Sequence, residues 1–252
     1  MKLGLVTYNM AKDWDIPTLI ERCVETGFAG VELRTTHAHG VEVELSASER
    51  AAVKQQFADS SIEIAGLGSA FDYHAADAEV VRQNIEGTKV YSQLAADVGA
   101  PGVKVRPNRL PEEVPVEKTL EQIGLSLREC AEFAQNLGVQ IRLEVHGRGT
   151  SELPHIRTIL DVADHGNVSV CWNSNFGEVE NGTIQHNFNL VKGRIGLVHI
   201  TELHRREYPW RELFTSLRES GYAGYCLAEI AGSTDAVRVM NYYRALWEEL
   251  AR

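Results

Sequence analysis

IRLEVHG, residues 141–147, is an apolar run that ends in a carboxylate, Glu144, with an imidazole, His146, two positions on. Side chains alternate along a strand, so Glu144 and His146 share a face. A carboxylate buried among Ile and Leu is costly unless something pairs with it. Three later runs have the same form: VSVCWN (168–173) ends on Asn173, GLVHIT (196–201) carries His199 near its end, and CLAEI (226–230) carries Glu229. Parallel strands closed into a barrel bring their C-terminal ends to one mouth. Four polar groups dozens of residues apart can therefore surround a single cation.

Outward from these runs, the chain alternates short β-like stretches with longer helical patterns. Eight strands are predicted, at Leu3–Tyr8, Gly30–Arg34, Ile62–Leu67, Gly102–Arg106, Gln140–Val145, Val168–Trp172, Ile195–Ile200 and Gly224–Ile230. Between them, apolar stripes recur at spacings of three and four, most clearly Val116, Leu120, Ile123, Leu127, Cys130, Ala134 and Leu137. Asp15 and Ser46 stand where helix N-caps are wanted, with Glu49 completing a capping box, and Gly27, Gly99, Gly138 and Gly221 follow helix ends. The segments ETGFAG (25–30) and ESGYAG (219–224) echo each other, and VGAPG (98–102) has the same shape. Three similar helix-to-strand junctions point to a repeated βα unit, as an α/β (β/α)8 barrel requires. A doubly wound open sheet is the alternative, and it is disfavoured because no G-x-G-x-x-G turn follows the first strand. The expectation is one barrel domain spanning residues 1–252.

Composition narrows the function. With 44% hydrophobic and 24% charged residues, the chain has material for one sizeable core. A net charge of −10 without a basic stripe argues against holding nucleic acid, although a few local arginines would still admit a phosphorylated metabolite. Cys23, Cys130, Cys171 and Cys226 are widely spaced with no C-x-x-C pair, and read as reduced core thiols. MKLGLVTYN is too short an apolar run for a signal peptide, and no stretch reaches the roughly 20 apolar residues that cross a bilayer. A cytoplasmic protein that needs neither membrane nor nucleic acid is expected, with a homo-oligomer allowed for.

Each candidate site residue has a plainer reading beside the functional one. Glu144 could be spent on Arg142 or Arg106, Glu229 could be a solvated strand end, His199 a satisfied core histidine, and Asn173 an Asx turn opening the next loop. Taken together, imidazole and carboxylates at one level make a borderline-to-hard ligand set suited to Mn2+, Co2+, Zn2+ or Mg2+. Glu32 and Arg34 end the second strand on one face, and they either reach a bound molecule or pair with each other. Lys104, Arg106 and Arg205 are candidate contacts for hydroxyls or a phosphate, with surface charge as the alternative.

The stretch CWNSN…NGTI…VKGRIGLVHITELHRREYPWRELF, with LEVHG before it and GYCLAEI after it, resembles the xylose isomerase-like barrel proteins known as sugar phosphate isomerases/epimerases. The resemblance runs over most of the chain and is strongest between Gln140 and Trp247. It implies one divalent cation held by Glu144, Asn173, His199 and Glu229, with Glu144 and Glu229 also moving protons, and it suggests that Arg205 contacts substrate. His146, Glu32 and Lys104 complete the expected substrate-binding set. Two departures stand out: the family's sixth-strand aspartate is Asn173 here, and a histidine common three positions on is Phe176. The expected activity is a metal-dependent isomerase or epimerase of a sugar or sugar phosphate, moving a proton α to a carbonyl through an enediolate. Two rivals remain: a non-catalytic sugar-binding barrel whose metal site has decayed, and an endonuclease-like metal hydrolase, which would need more metals and more histidines at the mouth.

Overall fold

The eight apolar runs close on themselves. In the computed structural model, which describes residues 1–252, strands β1 (Lys2–Val6), β2 (Gly30–Arg34), β3 (Glu63–Asp72), β4 (Gly102–Arg106), β5 (Gln140–Glu144), β6 (Val168–Asn173), β7 (Ile195–Ile200) and β8 (Tyr225–Ala228) form a closed parallel barrel in sequence order. β8 returns to β1 through the pairs Leu3 with Cys226 and Leu5 with Ala228. Helices α1 (Ile16–Thr26), α2 (Ala47–Ala58), α3 (Ala78–Val98), α4 (Val116–Ala134), α5 (Leu153–Ala163), α6 (Gln185–Val191), α7 (Trp210–Glu219) and α8 (Ala236–Leu250) follow the strands in turn.

Local chemistry sets these boundaries. The Asp15 side chain accepts from the Thr18 amide at the start of α1, and Ser46 with Glu49 closes the capping box of α2. Gly27 and Gly99 adopt the left-handed conformation, at φ 74° and 83°, that ends α1 and α3. Along α4 the predicted stripe buries Leu120, Ile123, Leu127, Cys130 and Ala134 against the barrel. Gly124 lets α5 approach, because a Cβ there would lie 2.6 Å from the Val162 side chain and 2.9 Å from the Ile159 carbonyl.

The main core lies between barrel and helices, and a smaller apolar plug of Val6, Ala65, Cys171, Leu197, Tyr225 and Leu227 packs together apart from it. All four cysteines are buried free thiols. No helix is long and apolar enough to cross a membrane. Seven strand predictions agree with the structure to within two residues at either end. The eighth, β3, runs five residues past its predicted end at Leu67, through Gly68-Ser69-Ala70, whose small and polar side chains do not read as a strand. Pairing of Gly68 with Lys104 and of Asp72 with Arg106 carries it upward to the rim.

Candidate metal centre

Each polar residue owes its place to a strand end. Glu144 is the last residue of β5, Asn173 the last of β6, His199 the next to last of β7, and Glu229 follows β8 directly, its amide donating to the Ile200 carbonyl at 2.9 Å. Asn173 lies beside His199 in the β6–β7 register. The structure brings three ligands together: Glu144, His199 and Glu229 each offer an atom, all within 4.8 Å of one another. His199 Nδ1 stands 3.6 Å from Glu144 Oε1 and 3.8 Å from Glu229 Oε2, too far for hydrogen bonds. Donors about 2.1 Å from a shared ion can be no more than roughly 4.2 Å apart, so a small contraction would close the three onto one cation.

The same residues leave polar atoms unsatisfied. His199 Nδ1 and Asn173 Oδ1 are buried with no hydrogen-bond partner, an arrangement whose usual cost is about 1–3 kcal/mol per group. Both atoms belong to the predicted ligand set, and a cation would satisfy them. The donors fit a divalent ion on chemistry as well: one imidazole nitrogen, two carboxylates and an amide oxygen.

The other face of His199 is held by Glu32. This carboxylate is fully buried, and its Oε2 lies 3.3 Å from His199 Nε2. A carboxylate behind a ligating histidine fixes the ring's orientation and frees the opposite nitrogen for an ion. Gly68 makes the room, since a Cβ there would come within 2.7 Å of Glu32 Oε1. Burial opposes the charge on Glu32, but His199 and Lys104 outweigh it and lower its pKa. Burial likewise opposes a proton on His199, yet Cys171, Glu32 and Glu144 hold its pKa well above the ordinary value.

Lys104 is the unexpected member. It is buried on β4, and its Nζ donates to Glu144 Oε2 at 2.8 Å. Glu144 therefore has a charged partner, neither Arg142 nor Arg106 but an ammonium. Asn173 Nδ2 reaches Glu144 Oε1 at 3.2 Å. Burial would raise the Glu144 pKa, but Lys104 and His199 hold it far below the carboxylate range. In the metal-free site Lys104 and the proton on His199 balance the charges of Glu32 and Glu144, and a divalent cation would displace that His199 proton.

Among the expected substrate contacts, Glu32 and Lys104 are turned to protein partners, and His146 follows two residues after the end of β5 with its Nδ1 buried and unpartnered. Arg205 is exposed in the loop after β7 and its guanidinium makes no ion pair. Phe176 is 49% exposed at the mouth. Two groupings escaped the sequence reading because they join separate loops, Thr7 with His37 and Glu178 with Tyr208, and a third, Asp72 with His74, forms locally where β3 runs past its predicted end.

A family model described as xylose isomerase-like TIM barrel matches residues 20–246. No curated protein matches the chain in sequence. Among solved structures, an L-ribulose 3-epimerase superposes with a TM-score of 0.81 at 18% identity, covering 99% of this chain and 94% of that one. The 3-keto-D-glucoside 4-epimerase of E. coli gives 0.81 at 18%, with 99% of both chains covered. The IOLI protein, solved with a bound zinc atom, gives 0.79 at 16%, with 99% and 96% covered. At these identities the likeness shows the fold.

Proposed function

The chain belongs to the xylose isomerase-like TIM barrel family, and from that footing we propose that it is a divalent-metal-dependent isomerase or epimerase acting on a sugar or sugar derivative. The observation that carries the reading is the convergence of Glu144, His199 and Glu229 around an unsatisfied, buried His199 Nδ1. Two similar barrels being named as sugar epimerases supports the same reaction class, and a zinc atom in a third supports a cation at the mouth.

Glu144, His199 and Glu229 would hold the ion, with the Asn173 amide oxygen as a neutral fourth donor. When bound, the ion supplies Lewis-acid stabilisation of negative charge developing on a substrate oxygen. The chain's residues do the rest. Glu32 orients the His199 ring. Lys104 keeps Glu144 ionised and commits its Oε2, leaving Oε1 toward His199. Glu229, whose side chain is 22% exposed, is the carboxylate open to a bound sugar and takes the proton from the carbon next to the carbonyl. The C–H electron pair moves to the carbonyl oxygen, giving an enediolate. For inversion the opposite face of the same carbon would receive a proton relayed through Glu144 from the Lys104 ammonium that donates to its Oε2, with exchange through solvent returning the Glu229 proton to Lys104, whereas return of the Glu229 proton to the neighbouring carbon would isomerise the sugar.

Incubation of the Mn2+-supplemented protein in heavy water with a panel of ketoses tests this. The expected result is solvent deuterium at the carbon α to the carbonyl of at least one sugar, abolished by chelator and by Glu229→Gln. Absence of incorporation across the panel would favour the non-catalytic sugar-binding barrel.

A further inference from the structure

One inward-facing layer above the metal centre, two arginines stand beside Asp72, whose carboxylate is taken by His74 and Asn108. Alternation along each strand puts Arg34 two residues above Glu32 on β2 and Arg106 two above Lys104 on β4, and His146 lies in the loop two residues past the end of β5 at Glu144. The register brings the first two together: Arg34 and Lys104 both pair with Gly68 on the intervening β3, and Arg106 pairs with Asp72 four residues on. With strands about 4.8 Å apart, the two arginines start within side-chain reach of a common point.

Neither guanidinium has a carboxylate. Arg106 Nη2 donates to the Ala70 carbonyl at 3.0 Å, and its Nε is buried with no acceptor. Arg34 lies over the Tyr8 ring at 5.2 Å and has only a long 3.5 Å contact from Nη1 to the Thr35 carbonyl. Of the two acids in the loop after β2, Glu42 is occupied by Thr35 and Thr36 and Glu44 is exposed. His146 Nδ1 is buried and unpartnered as well. In a chain with 35 acidic and 25 basic residues, acids to pair with are plentiful, yet these two partly buried cations have none.

We propose that Arg34 and Arg106 form an oxyanion subsite beside the metal centre, and that the substrate is a keto sugar bearing a carboxylate or phosphate group. This rests on the isomerase reading for the same mouth and adds the substrate's charge. The anionic group sits on the two guanidiniums, and the carbonyl end extends toward Glu144, His199 and Glu229. Guanidinium forks match carboxylate and phosphate oxygens bidentately, and the orphaned Arg106 Nε–H gains its acceptor. A neutral sugar would leave both charges uncompensated in a partly desolvated site. The local cations also answer the chain's overall charge of −10, which repels anions at long range.

The test titrates Mn2+-loaded protein with inorganic phosphate, D-gluconate and D-fructose in a calorimeter, and repeats it with Arg34→Gln and Arg106→Gln. One of the two anions should bind at least tenfold tighter than fructose, and each variant should weaken that anion about tenfold while leaving Mn2+ affinity and the folded circular dichroism spectrum intact. A preference for phosphate assigns a phosphorylated substrate, and a preference for gluconate assigns a sugar acid. The proposal is overturned if neither anion outbinds fructose, or if both variants bind it as the parent does. Deuterium exchange on neutral ketoses without anion selectivity would leave the isomerase reading standing and remove the subsite. Anion binding without exchange on any ketose would do the reverse.

Discussion

Asn173 and Lys104 each make the metal centre one charge more positive than a carboxylate and a neutral residue would. Asn173 offers only an amide dipole, and Lys104 holds one oxygen of Glu144 at 2.8 Å. Carboxylate count tunes affinity for hard cations, so single substitutions should move binding in a known direction. Asn173→Asp is expected to tighten Mn2+ about tenfold by calorimetric titration, and unchanged affinity would remove position 173 from the ligand set. Lys104→Met should also tighten divalent binding, because it frees Glu144 of its competitor. Without metal it should destabilise the fold by about 3–5 kcal/mol, since it leaves buried carboxylates uncompensated. A variant as stable in chelator as the parent would mean that the ammonium does not hold the metal-free site together. The ligand types were legible in the sequence, because a Glu or His inside an apolar run is costly and calls for a partner. The partners were not. Strand alternation says which face Glu32 and Lys104 occupy, but the pairing of Glu32 with His199, 167 positions away, depends on barrel closure and on the space left by Gly68.

Elements after the strands carry the remaining polar order. The short helix at Phe176–Glu178 and the loop before α7 are tied by Tyr208, whose hydroxyl donates to Glu178 Oε2 at 2.8 Å and accepts from Trp172 Nε1 at 3.0 Å. Burial pushes the Glu178 pKa well above 4.5. The native state therefore retains a proton that the unfolded chain loses above about pH 4.5, so this stability is full below that pH and lost as pH rises toward the folded value. Glu178→Gln keeps an acceptor for Tyr208 and removes the loss. It should raise the melting temperature at pH 8 by an amount that shrinks toward pH 4, with about 1.4 kcal/mol for each pH unit of proton retention. Equal shifts at both pH values would show that Glu178 is already ionised in the native state. Strands were easier to read than these loops. Runs buried on both faces are continuously apolar, whereas β3 beyond Leu67 is held by pairing with β4 despite its Gly-Ser-Ala composition.

At the scale of the whole molecule, eight strands deliver residues from every part of the chain to one mouth, so a bound ion cross-links the barrel. Divalent cation at a hundredfold excess over Kd should add ~2.7 kcal/mol, raising the melting temperature by about 5–10 °C for a chain this long, and Glu144→Gln or His199→Gln should abolish the gain. The most direct measurement is an anomalous difference map from crystals soaked in Mn2+, collected at the manganese edge. A single peak within about 2.3 Å of Glu144 Oε1, His199 Nδ1 and a Glu229 carboxylate oxygen is the predicted result. A peak held by other residues, or none at the barrel mouth with Lys104 still seated on Glu144, would contradict it.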